Sequence, residues 1–302
     1  MDPLKNLFCL SIAFFSGLSG CSVFRNTAVD QHVAVSRDLT LQGLAANYDQ
    51  NWQQAEQLFT QAVHSDPDNV EARMMLADSY RHRGQSTAAI EQLEQSLKIS
   101  PENDELICQL GECYFDTRQQ EQAYKLAQLA LRKNKDSVQG WTLKAQSLWR
   151  MGKPEQALAD YQRALSIDPN NIELRRQMAV LYLELDKPLR ALTTLDKIAG
   201  EFDPAQVPEE ILIRQSVALQ KLNRNTEATE RLAAGFQRGE YSQKLAETYV
   251  AALIQDRNFS KASSTLQMAT RRFPQGQRLA QLHSQLENFR GTQIAEGQRN
   301  LR

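Results

Sequence analysis

Residues 141–169, WTLKAQSLWRMGKPEQALADYQRALSIDP, decide the fold of this chain. They read as two helical segments broken at Gly152 and stopped at Asp168-Pro169, because glycine ends helices readily and proline cannot continue one. Ala157, inside the second segment, belongs to a register that runs through the sequence: Ala55, Ala89, Ala123, Ala157, Ala191, Ala228 and Ala262. The spacing is 34 residues, with one gap of 37. A fixed period of this length marks a repeat architecture, in which helix pairs that cannot bury their apolar faces alone stack on their neighbours.

Numbering each repeat from 1 to 34, with the register alanine at 20, exposes the rest of the pattern. Position 8 is small in most repeats (Gly43, Ala77, Gly111, Ala145, Ala179, Ser216), with Val250 the departure, and position 27 is small again (Ala62, Ser96, Ala130, Ala164, Gly235, Ala269). Small residues at these places let two helices approach closely. Position 24 supplies the bulk, with Phe59, Leu93, Tyr161, Leu195, Leu232 and Leu266. Asp66-Pro67, Ser100-Pro101, Asp168-Pro169 and Phe273-Pro274 close repeats, and Gly84 joins Gly152 as a turn between paired helices.

Residues 141–169, with Trp141, Ala145, Gly152, Ala157, Tyr161, Ala164 and Pro169, resemble the tetratricopeptide consensus. The resemblance implies an all-α solenoid, a right-handed superhelix of antiparallel helix pairs, with about seven repeats over residues 37–275. The 37-residue gap falls at Gly200–Pro208, where Asp203-Pro204 and Val207-Pro208 lengthen one connection. Lys135 stands where other repeats have proline and predicts a local irregularity. Residues 276–302 read as a capping helix, with Leu279, Leu282, Leu286 and Phe289 at helical spacing, and a polar, disordered tail from Gly291.

The amino terminus reads as an address. Lys5 precedes an apolar run from Leu7 to Leu18, too short to span a bilayer as a helix. Leu18-Ser19-Gly20-Cys21 resembles the lipobox of bacterial lipoproteins, in which the cysteine thiol takes a diacylglycerol and the preceding peptide is removed. Residues 1–20 are then a lipoprotein signal peptide, Cys21 the lipidated first residue, and 21–36 a flexible tether. Several acyl chains anchor stably where one is marginal. Ser22, rather than aspartate, after the cysteine resembles outer-membrane sorting in bacteria with two membranes, which places the repeats in the periplasm.

Composition excludes several functions. Thirty-five basic against 36 acidic residues, with no sustained basic stripe, gives no basis for nucleic-acid binding. Cys108 and Cys113, five apart on one helix, point roughly 140° from each other and cannot pair. The four histidines, His32, His64, His82 and His283, lack metal-ligand spacing. No nucleophile elbow, phosphate loop or dinucleotide turn occurs, so the sequence predicts no enzyme, cofactor, metal or small-molecule substrate.

Binding is therefore expected on a surface. By resemblance to the family, positions 2, 5, 9, 12 and 13 of each repeat line a concave groove. The candidates there are Met74, Arg81, His82, Glu112, Phe115, Gln146, Trp149, Arg150, Arg176 and Leu183. Phe115, Trp149 and Leu183 recur at position 12 and suit the apolar side of a peptide or helix, with Arg81, Arg150 and Arg176 for its acidic groups. The reading is a membrane-anchored, non-catalytic adaptor that holds a protein partner in the cell envelope. The alternative is a structural component of an envelope, secretion or pilus assembly that uses its outer faces.

Overall fold

The computed structural model describes residues 19–299, with side chains from 30 to 289. Residues 1–18 and the Cys21 side chain, where the signal-peptide and lipidation readings fall, lie outside that range. Among the described residues are fifteen α-helices and no strand. Two compact units divide the chain, Met1–Lys153 and Pro154–Arg302.

The first unit holds α1 (Ser19–Tyr48), α2 (Trp52–Ser65), α3 (Val70–His82), α4 (Ser86–Ile99), α5 (Asp104–Asp116), α6 (Gln120–Lys133) and α7 (Val138–Arg150). Each helix packs on the next. The second unit holds α8 (Pro154–Ile167), α9 (Ile172–Glu184), α10 (Pro188–Ala199), α11 (Glu209–Lys221), α12 (Asn225–Phe236), α13 (Gln243–Gln255), α14 (Phe259–Arg272) and α15 (Gln277–Arg299), and its helices also pack in sequence. All seven register alanines are fully buried. The small residues at positions 8 and 27 are buried as well, so the period in the sequence is a period of close helix contacts.

The turn within each repeat is the same seven times. A residue at position 15 takes the left-handed conformation, and the next N–H donates back to the carbonyl at position 11, as Gln85 does to Tyr80 at 2.8 Å and Arg224 to Leu219 at 2.9 Å. This is the Schellman ending of a helix. Glycine fills the left-handed place at Gly84 and Gly152, but Gln50, Arg118, Asp186, Asn223 and Arg257 adopt it elsewhere with φ between 51° and 62°. A side chain there costs about 1 kcal/mol, partly offset in a comparison with glycine by glycine's looser unfolded chain. Arg118→Gly and Arg257→Gly are each expected to stabilise the protein by about 0.5 kcal/mol. Urea denaturation checks this: both midpoints should rise, and Gly84→Ala, with φ at 74°, should fall.

Between repeats, side-chain caps do the work assigned to proline. Asn69, Asn103, Ser137, Asn171 and Ser242 each precede a first helix and accept the N–H three residues on. Lys135 consequently causes no irregularity. Asn134 donates its N–H to Ala130 as Asp66 does to Ala62, and its side chain accepts from Asp136 as Asp66 accepts from Asp68. The long connection at 200–208 is held from outside by Arg238, which donates to the carbonyls of Val207 and Pro204.

Two sequence readings are corrected at the ends. Residues 21–36, read as a flexible tether, lie in α1. Val33, Ser36, Thr40 and Gly43 repeat at helical spacing on its covered side. The polarity of Ser36 and Thr40 disguised this face, but both hydroxyls are satisfied: Ser36 donates to the Ala62 carbonyl and accepts from Asn69, and Thr40 donates to the Ser36 carbonyl. At the other end, α15 continues through residues 291–299, read as disordered. Leu279, Leu282 and Leu286 are buried against α13 and α14 as the cap requires, while Phe289 stays half exposed and stacks on Phe259 at 5.8 Å.

Candidate functional site

In the first unit, the groove positions of α3, α5 and α7 form a linked surface. Arg81 donates to Glu112 at 2.5 Å and to Asp116 at 2.9 Å, and the second Glu112 oxygen accepts from Gln139 at 2.8 Å. Three successive first helices are thus joined by one polar chain through positions 12, 9 and 2. Burial pulls the Arg81 pKa down, but Glu112 and Asp116 outweigh it and the value is raised, so this cation stays charged and occupied. The expectation that Arg81 receives acidic groups of a partner fails on this geometry, since two carboxylates already neutralise it.

Beside that chain, Phe115 is half buried against Ala123, Ala127 and Leu143, and the Arg150 guanidinium lies 5.6 Å from its ring centre. A cation over an aromatic face is attracted by the ring quadrupole. Arg150 itself remains exposed, and Gln146 and Trp149 are half exposed on α7. His82 is exposed but stacks on Trp52, centroids 3.8 Å apart and rings 12° from parallel, with Asp78 3.8 Å from its Nε2. Met74 is a correction: it is buried with Leu93, Leu106 and Leu110 and offers a ligand no surface. Cys108, at the same repeat position, is buried too.

In the second unit, Arg176 lies between Glu173 and Glu210, 2.7 Å from the latter, and Arg214 reaches Glu210 at 2.5 Å. Burial pushes the Glu210 carboxyl up, but Arg214 and Arg176 outweigh it and hold the pKa below the usual carboxylate range. Arg176 is therefore also engaged within the protein. Leu183 is half exposed on α9.

The two thiols are electrostatically quiet. Burial pushes both Cys108 and Cys113 up to about 12, and neutral thiols are poor nucleophiles and poor metal ligands. Among the described residues no cluster of His, Cys, Asp or Glu could hold a metal ion, and no helix is long and apolar enough to cross a membrane.

Sequence reasoning missed the Arg81–Glu112–Gln139 chain and the Trp52–His82 stack. Their partners sit 31, 27 and 30 residues apart, off the 34-residue period, so a search for recurring positions passes over them.

Tetratricopeptide repeat family descriptions match residues 40–104, 80–147 and 138–171. Among curated proteins, the chain is 27% identical over 177 residues to the human protein O-mannosyl-transferase TMTC3, covering 54% of this chain and 19% of that protein. It is 24% identical to the bovine BBSome complex member BBS4, covering 54% and 31%. The chain thus spans less than a third of the length of either relative. Among solved structures, PilW, a widely conserved type IV pilus biogenesis factor, is similar with a TM-score of 0.64 at 20% identity, covering 70% of this chain and 96% of that one. A tetratricopeptide repeat protein from Parabacteroides merdae gives 0.57 at 12% identity, covering 84% and 99%. A thermophilic one from Thermus thermophilus gives 0.54 at 22%, covering 61% and 99%.

Proposed function

From the premise that this chain is a tetratricopeptide repeat protein, we propose that it is a membrane-anchored, non-catalytic adaptor of the bacterial cell envelope that binds a protein partner along its first helices. The observation that carries the reading is the α5–α7 surface. Phe115 and Trp149 are partly open on a scaffold whose polar neighbours are fixed by the Arg81–Glu112–Gln139 chain. A rigid aromatic anchor with an exposed cation beside it is the composition of a binding hot spot. Fixed side chains also lose little entropy when a ligand arrives.

Anchoring rests on Leu18-Ser19-Gly20-Cys21, with lipid on Cys21 and the outer membrane facing the periplasm as the favoured address. Likeness to a pilus biogenesis factor is likeness of fold, and it keeps a second role open for this chain, as a component of a pilus or secretion assembly that uses its outer faces.

The test is recovery of a partner from envelope extract by the full chain and by a Trp149→Ala, Arg150→Glu double variant of unchanged helicity. Loss of one protein from the variant's eluate supports groove binding. Equal recovery by both moves binding to the outer faces. Fractionation of Cys21→Ser, expected to leave the membrane pellet, checks the anchor independently.

A further inference from the structure

The first helix of the first unit and the last two helices of the second differ from the helices between them and from each other. In α3, positions 3, 7 and 10 are Ala72, Leu76 and Ser79, all buried on a helix that packs against α2. The same positions of α1 are Asp38, Gln42 and Ala45, and all three are exposed, because no described helix precedes α1. On that open side Leu41 is 66% and Tyr48 90% exposed. At the far end, α15 packs like the first helix of an eighth repeat on α14 and leaves Ala280 and Ser284 open, while Phe289 stacks on Phe259 and is 48% exposed. Of nine exposed large apolar side chains among the described residues, five lie on α1, α14 and α15, which concentrates apolar exposure at the ends.

Charge then selects the occupant. Residues 30–71 carry seven acidic and one basic side chain, whereas residues 257–289 carry five basic (Arg257, Lys261, Arg271, Arg272, Arg278) and one acidic (Glu287). Pairing like ends brings like charges together, and pairing opposite ends joins an acidic surface to a basic one. We propose that this chain associates with itself head to tail, the α1 end of one copy seated on the α14–α15 end of the next. Small Ala45 on one side and Ala280 and Ser284 on the other allow close helix approach, and Asp38 is brought to an end of the chain's helices that also carries exposed Arg271 and Arg278. Such a contact is heterologous, so a dimer keeps one free end of each kind for a further copy.

The test uses the full chain in a monodisperse detergent, followed by sedimentation velocity at about 0.1 M and about 1 M salt, where screening shortens from about 10 Å to 3 Å. Wild type is expected to form species beyond the dimer at the lower salt and to lose them at the higher. A Leu41→Lys, Tyr48→Lys variant blocks one end, and Arg271→Glu, Arg278→Glu blocks the other. These four side chains are exposed, so folding is retained, and circular dichroism verifies it. Each variant alone should stay monomeric, with association weakened at least about tenfold. An equal mixture should give a dimer that grows no further, because one live end of each kind remains. Wild type that is monomeric at all concentrations, association indifferent to salt, or a blocked variant that still dimerises alone overturns the proposal.

Discussion

Replacing Gly43 by valine is expected to destabilise the first repeat by about 3 kcal/mol, at the upper end of what overpacking a core costs. A Cβ at Gly43 would stand 2.4 Å from the Phe59 ring, with two more ring atoms inside 2.8 Å. Phe59 is fully buried among Ala46, Ala55 and Leu76, so the ring has nowhere to go and α1 must move outward. That movement also breaks the Ser36 and Asn69 hydrogen bonds that tie α1 to the end of α2 and the start of α3. Repeat stacks can open one repeat at a time. Hydrogen exchange should therefore show α1 and α2 losing protection while α5 and α6 keep theirs. Gly111→Ala is the milder comparison: its nearest contact, 2.4 Å away, is the tip of Leu143, a side chain that can change rotamer. Equal losses at the two sites would show that the rigid ring is not what limits the approach.

Reversing Arg81 to glutamate should cost about 2 kcal/mol and remove most of the order on the α3–α5 surface. The new carboxylate would face Glu112, Asp116 and Asp78, with Arg81 and Glu112 both less than one-third exposed. Partial burial makes this pair stronger than an open surface pair, whose contribution is often below 1 kcal/mol. The control is Arg81→Glu with Glu112→Arg, which restores one opposite-charge pair. A coupling energy of about 1–2 kcal/mol in that double-mutant cycle is expected from urea denaturation. Additive losses would mean that the two side chains act independently. Partner binding by the same variants connects this chain to the proposed adaptor role: if fixed polar neighbours preorganise Phe115, Arg81→Glu weakens binding without touching the anchor.

Much of the fold is legible in the sequence because its determinants are local. Gly152, the Pro-bearing turns and the small residues at positions 8, 20 and 27 each report a constraint met within one repeat or with its immediate neighbour. Ser36 and Thr40 misled the reading at the start of α1 because a buried hydroxyl with a backbone partner looks, in sequence, like a solvated one. Gly291 onward misled it in the same way, since a polar helix has no apolar face to announce it.

By itself the sequence determined the repeat length, the helix pairing, the close contacts and the positions eligible to line a groove, since these follow from residue size and backbone preference along a few turns of chain. Tertiary structure alone decided which eligible side chains remain available. Met74 and Cys108 turn into the core and Arg81 and Arg176 are consumed by carboxylates from the next first helix, whereas Phe115 stays partly open beside the exposed Arg150. Those outcomes depend on where side chains some 30 residues apart meet across neighbouring helices. The reason is physical: an ion pair or ring contact is fixed by distances of a few ångströms between helices, and a periodic sequence sets the order of the helices but not the reach of each side chain across them.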